Sequence, residues 1–335
     1  MTEESDKKNA PVDYEALRKR LGEEMLRQRL LTQANHWADT VFQGESIFRL
    51  ERYLPMDKLI RWILKLSGTY WWGHRNFLDL QVNENLVVID NLPSALVGLR
   101  VLHLSDLHLD LSPDLTPKII ENLARLQYDI AVITGDFRNS STGNHADALD
   151  ETRKVIEALR PPIIGILGNH DFIEMVPGLE EMGIQLLLNE TAILHHNGTQ
   201  ILIAGIDDPH FYKTENFEAL KQEKDAYGLK LLLSHSPETY SRANSYGFDM
   251  LLCGHTHGGQ ICLPNGKAIL KIGNCPDDML NGAWEFNTLK GYTSRGTGSC
   301  GVPVRFFCPP EIVIHELRKS APTTATGDES LQGSR

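Results

Sequence analysis

From about Asp79 the chain alternates between short apolar runs and helical stretches, and this alternation constrains the fold more than any other feature. RVLHLS (100–105), DIAVIT (129–134) and IIGIL (163–167) have the length and composition of buried strands, and the stretches near 116–127 and 145–159 between them carry helical periodicity. QILIAG (200–205), LKLLLS (229–234) and DMLLCG (249–254) continue the series, and EIVIHEL (311–317) closes it. Strands separated by helices at this spacing predict an α/β sheet with helices on its faces. Residues 80–318 contain no internal repeat and no low-complexity block.

The polar residues fall where such a sheet would use them. Four runs end directly in groups able to bind a metal: Ser105-Asp106-Leu107-His108, Thr134-Gly135-Asp136, Gly168-Asn169-His170-Asp171 and Cys253-Gly254-His255-Thr256-His257. A fifth, LLLSHSPE, ends in His235. In an open α/β sheet, ligands bind beyond the carboxyl ends of the strands, so loops distant in sequence converge there. Singly these signals are weak, because a strand-end Asp is commonly a helix cap and a lone His is commonly just hydrogen-bonded. Five in succession, with no carboxylate or imidazole missing, point to a metal centre.

The order D-x-H, G-D, G-N-H-D, H, G-H-x-H resembles the calcineurin-like metallophosphoesterase family over about residues 98–318. The resemblance implies a two-layer αββα sandwich, α/β (or α+β) in class, that holds two divalent metal ions. Carried over residue by residue, it implies one ion on Asp106, His108, Asp136 and His257, and the other on Asp136, Asn169, His235 and His255, with Asp136 bridging. The donor chemistry agrees: mixed imidazole, carboxylate and amide suit Mn (our first choice), Fe, Zn or Ni better than Ca or Mg. No thiolate is recruited, although Cys253 lies beside the last loop. Two such ions about 3.5–4 Å apart can share a hydroxide, lower its pKa and hold both the attacking and the phosphoryl oxygens. His170 is left without a metal and is assigned to stabilise the transition state or protonate the leaving oxygen. Asp171, its neighbour in the motif, is placed in the same catalytic group.

Two departures bear on the substrate. The Ser/Thr phosphatase branch continues G-D-x-V-D-R-G, whereas this chain has Gly135-Asp136-Phe137-Arg138-Asn139-Ser140. Asn139 can position His170 by a hydrogen bond but cannot raise its basicity as a carboxylate would, which argues against a protein phosphatase. The ending GYTSRGTGSCGVPVRFFCPPEIVIHEL is similar to that of bacterial membrane-associated phosphodiesterases, part of which hydrolyse the pyrophosphate of UDP-2,3-diacylglucosamine in lipid A synthesis. Arg295, in the turn Ser294-Arg295-Gly296, would put a guanidinium where a second phosphate could be gripped at two points. Arg138 and Arg305 are weaker candidates for the same role.

The chain divides into a helical extension (1–78), a catalytic domain (79–318) and a disordered tail (319–335). Residues 1–10 are also expected to be disordered, 13–33 to form a polar helix and 55–66 an amphipathic one started by Pro55. Segment 47–77 holds six Lys/Arg against two Asp/Glu and three Trp, a pattern that suits an interfacial membrane anchor and equally a helix packed on the catalytic domain. Of the formal net charge of −11, residues 1–80 contribute +1 and the remainder −12, which excludes a duplex-nucleic-acid surface. Five Cys without a CxxC pair fit a reducing compartment. With a polar, acidic start and no apolar run of membrane-spanning length, the expected location is the cytoplasm, peripheral at the inner membrane face.

The expected activity is hydrolysis of a phosphodiester or pyrophosphate bond by metal-bridging hydroxide attack, on a lipid-linked substrate such as UDP-2,3-diacylglucosamine. Two alternatives stay open: a phosphodiesterase for soluble cyclic or linear nucleotides, and a non-catalytic scaffold with the same fold.

Overall fold

The computed structural model describes residues 12–42, 56–140, 143–221 and 227–320. The expected disorder at 1–10, nearly all of the 319–335 tail, and residues 47–55 of the basic segment lie outside the described residues.

Four helices precede the first strand: α1 (Tyr14–Leu21), α2 (Glu23–Phe42), α3 (Met56–Leu66) and α4 (Tyr70–Leu78). The chain continues through β1 (Gln81–Ile89), β2 (Arg100–Leu104), α5 (Leu115–Leu123), β3 (Ile130–Ile133), α6 (Ala146–Glu157), β4 (Ile163–Gly165), α7 (Val176–Glu181) and β5 (Gln185–Leu186). It then forms β6 (Glu190–His196), β7 (Thr199–Gly205), β8 (Leu229–Leu233), α8 (Tyr240–Ser245), β9 (Met250–Cys253), β10 (Gly282–Phe286), β11 (Leu289–Thr293) and β12 (Glu311–Lys319). One six-stranded sheet has the order β1-β12-β2-β3-β4-β5 and the other β10-β11-β9-β8-β7-β6. Strands β2 to β5 are mutually parallel, as are β7, β8, β9 and β11, so each set sends its carboxyl ends to one edge.

Alternation along the strands divides the core into layers. Val101, Val132 and Ile164 of the first sheet meet Ile201, Ile203, Leu231 and Leu252 of the second. Their strand neighbours Leu102, Leu104, Ala131 and Ile133 face the other way, onto Ile119 of α5, Val155 of α6 and Leu179 of α7. On the far face of the second sheet, Ala204, Leu232 and Leu251 pack with Ala243 of α8, Phe248 and Trp284. This is the αββα sandwich expected from the sequence.

The extension is built into that sandwich. Leu17, Leu21, Leu26 and Phe77 join the core under the first sheet. The helix expected over 13–33 is two helices, because Gly22 adopts φ +81° and ends α1 with its N–H on the Arg18 carbonyl. Helix α3 divides its apolar residues: Ile60 and Leu64 pack on Tyr70, Val302, Val304 and Phe306, whereas Trp62 (61% exposed), Ile63 and Leu66 (67%) face outward. Among the described residues no helix is long and apolar enough to cross a membrane.

Candidate metal centre

The loops leaving the strands turn sharply. Asp106 (φ 51°), His108 (44°), Asp136 (57°), His255 (71°) and His257 (51°) all adopt left-handed backbone. Each such non-glycine residue costs roughly 1–2 kcal/mol, strain that persists only where the surroundings impose it. Here the loops brace one another: Asp106 N–H donates to Gly135 O at 3.0 Å, His108 N–H to Asp136 O at 3.0 Å, and Gly254 N–H to His235 O at 2.9 Å. They also approach closely. A Cβ at Gly168 would lie 2.2 Å from Asp136 Oδ1, and one at Gly254 1.9 Å from Ser105 Oγ.

All seven residues expected as ligands converge. Donor atoms of Asp106, Asp136 and His235 lie within 4.8 Å of one another, and so do those of His108, His257 and Cys300. Asp136 Oδ2 stands 3.5 Å from His108 Nε2 and 3.3 Å from His235 Nε2, while Asp106 Oδ1 is 3.4 Å from His257 Nε2. Asn169 Oδ1 is 3.0 Å from His235 Nε2 and 2.8 Å from His255 Nδ1.

The donor set fits cations. His108 Nδ1 is 2.7 Å from Arg138 O, and His235 Nδ1 2.7 Å from Thr134 O. Backbone carbonyls accept, so both Nδ1 atoms carry the proton in the neutral ring and both Nε2 lone pairs face the Asp136 carboxylate. Two acceptors facing each other in a buried site call for a positive charge between them, which a metal ion or a proton can supply.

Burial pushes the His108 imidazole down to about 4. Burial, reinforced by the neighbouring imidazoles and by Arg305 at His257, holds His255 and His257 well below the usual range. All three thus present the neutral, metal-ligating form. At His235 burial opposes the charge, but Asp136 outweighs it and lifts the ring to about 10, so a proton holds the Nε2 position wherever no metal ion does. Burial raises Asp106 to about 6.

The remaining expected residues have other surroundings. His170 lies at the centre, its ring 5.0 Å from that of His108, with Nδ1 2.7 Å from the carbonyl of Asn139. Asn139 therefore orients His170 through its backbone and not its side chain, whose Oδ1 accepts from Gly301 N–H at 2.7 Å. Asp171 does not face the donors. It is fully buried and accepts N–H groups from Asp136 (2.8 Å), Phe137 (2.9 Å) and Gly168 (2.8 Å), tying two loops together as a positioning residue.

The two-point phosphate grip expected of Arg295 is corrected: its Nε and Nη2 are engaged by buried Glu311 at 3.0 and 2.6 Å. Arg138 lays its guanidinium on the Phe172 ring, and Arg305, fully buried, donates to the carbonyls of Arg295, His257 and Gly298. Sequence reasoning missed Cys300, whose Sγ is 3.7 Å from His170 Nε2. Cys253, the thiol it had considered, is buried under the second sheet.

Two cavities flank the centre. One, of about 530 Å³, is lined by Ile60, Ile261, Ile269, Leu270, Ile272 and Val302, with His257 and Cys300 in its wall. The other, of about 150 Å³, has Asn169 and His170 in its wall.

A braced cluster of carboxylate, imidazole and amide donors at the strand ends of an αββα sandwich defines a metal-dependent phosphoesterase. The calcineurin-like phosphoesterase profile matches residues 99–259, and the chain belongs to that family. The uncharacterized metallophosphoesterase YkoQ of Bacillus subtilis is 31% identical over 260 residues, covering 73% of this chain and 93% of YkoQ. An uncharacterized metallophosphoesterase of Aquifex aeolicus is 28% identical, covering 76% and 98%. The UDP-2,3-diacylglucosamine pyrophosphatase LpxG of Chlamydia muridarum is 28% identical, covering 65% of this chain and 83% of LpxG.

Proposed function

We propose that the protein hydrolyses a lipid-linked phosphodiester or pyrophosphate of the UDP-2,3-diacylglucosamine type, with the acyl part beside the metal centre and the protein peripheral at the inner face of the membrane. The observation that carries this reading is the apolar cavity of about 530 Å³ whose wall includes His257 and Cys300. A soluble nucleotide diester has no use for such a cavity next to its phosphate, whereas an acyl chain gains roughly 0.8 kcal/mol for each methylene it buries. The name of the LpxG relative agrees with this substrate class.

Asp106, His108, Asp136 and His257 would hold one divalent ion, and Asp136, Asn169, His235 and His255 the other, Mn being our choice. Bound there, the ions supply Lewis acidity toward a phosphoryl oxygen and lower the pKa of water. The chain's own part is to orient and to move a proton. Asp171 fixes the Asp136 and Gly168 backbones, the Asn139 carbonyl fixes the His170 ring, and His170 Nε2 faces the centre, from where it can protonate the leaving oxygen.

The test compares initial rates of one Mn-loaded sample on UDP-2,3-diacylglucosamine, a lipid phosphodiester and a cyclic nucleotide. The lipid substrates should exceed the cyclic nucleotide in kcat/KM by at least a hundredfold. A cyclic nucleotide turned over as well as either lipid would replace this reading with the soluble-substrate one, and no metal uptake and no turnover of any of them would leave a scaffold.

A further inference from the structure

The smaller cavity is lined by Phe172, by Phe211 with Tyr212 from the loop after β7, and by Gln33 and His36 of α2, with Asn169 and His170 at the candidate metal centre. We infer that this slot binds a flat ring carried by the substrate's phosphate, of nucleobase size, and that the amino-terminal helix α2 belongs to the substrate site.

Size is the first argument. A cavity of about 150 Å³ is what a single six-membered ring fills. Wall chemistry is the second. The His36 and Phe211 rings meet edge to face at 5.4 Å, Phe211 packs on Tyr212 at 5.0 Å, and Phe211 remains 37% exposed. Aromatic surface left open beside a phosphate site is suited to stacking, which every nucleobase can do.

Rigidity is the third. Helix α2 is pinned over the slot by buried Arg29, which pairs with Asp207, donates to Asp171 O at 2.9 Å and lies 4.0 Å from the Tyr212 ring centre. One turn further on, Gln33 Oε1 accepts from Ile173 N–H at 3.0 Å and its Nε2 donates to Glu174 at 2.9 Å. The slot is thus held open by the contacts that seat the motif loop, and a ring entering it pays little ordering cost. Position is the fourth. His257 and Cys300 line the apolar cavity, whereas Asn169 and His170 line the slot, so a phosphate between them would send one substituent to each.

The inference rests on the proposed site for phosphate, and calorimetry on the Mn-loaded full chain tests it without requiring turnover. UMP and phenyl phosphate should bind at least tenfold tighter than methyl phosphate. Phe211→Ala should remove that advantage to within twofold, and Phe211→Trp should keep it. Equal binding of the three phosphates to the wild type, or an advantage that survives Phe211→Ala, overturns the slot. Because these titrations need no hydrolysis, a failed rate assay on lipid substrates would discard the lipid reading alone. The melting temperature of Phe211→Ala, a change at an exposed ring, shows whether the fold is kept.

Discussion

Replacing Arg29 by Ala tests whether the extension and the catalytic domain are one folding unit. The guanidinium and the Asp207 carboxylate are both fully buried. Removing one partner of such a pair leaves an uncompensated charge in the interior and costs about 3–5 kcal/mol. Among the described residues Thr214 Oγ1, at 2.6 Å, is the other side-chain partner of that carboxylate and cannot neutralise it. The loss is large against the 5–15 kcal/mol that usually separates folded from unfolded chains. Urea unfolding should therefore show Arg29→Ala destabilised by about 3–5 kcal/mol, with Arg29→Met/Asp207→Asn recovering at least half. A loss below about 1 kcal/mol, or a double variant no better than the single, would refute the reasoning. The same contacts imply that deleting residues 1–78 exposes core under the first sheet, so membrane binding is better probed by surface substitutions.

Three further outcomes are expected. His170→Ala should lower kcat by about 10²–10⁴ while the metal content, read by elemental analysis, stays at the wild-type value, since His170 is not among the proposed ligands. Arg295→Ala should leave KM within about threefold but lower the melting temperature, because it strands the buried Glu311 carboxylate and not a substrate phosphate. Burial holds His103 at about 3 in the folded protein against 6.5 unfolded, so the unfolded chain binds a proton that the folded one refuses. Stability from this group is complete above pH 6.5 and falls toward pH 3 by about 1.4 kcal/mol per pH unit, and urea titrations of His103→Gln should show a slope shallower by that amount.

The loops carrying the candidate ligands were legible because each is local: a buried strand followed at once by donors, on the edge where parallel strands end. What was not legible depends on chain segments meeting in space. Cys300 reaches the centre on the connection between β11 and β12, and no spacing rule ties it to His170 or His108. Asn139 uses its backbone carbonyl, which any residue would supply, so reading its side chain misassigned the contact. Arg295 looked like a phosphate clamp because Glu311, which occupies its fork, lies at the start of another strand. Strand β1 escaped notice because QVNENLVVI carries exposed polar residues, and only its parallel pairing with β12 makes it a strand. How the extension packs on the catalytic domain was not legible because the partners of Arg29 and Gln33 lie more than a hundred residues away.

Helix α3 brings the two readings of the basic segment together. A helix that merely packed would hide its apolar residues, and one that only anchored would leave Ile60 and Leu64 free. Instead Ile60 lines the apolar cavity, while Trp62, Ile63 and Leu66 face outward beside it. Under the proposed function these two groups have separable tasks, one holding the acyl chain and the other meeting the membrane. Ile60→Gln should therefore flatten the dependence of kcat/KM on acyl length, about fourfold per methylene where the chain is fully buried, and leave liposome flotation unchanged. Trp62→Ser/Leu66→Ser should abolish flotation and keep the length dependence on detergent-dispersed substrate. If both variants lose both properties together, the helix acts as a single surface and the division of labour is wrong.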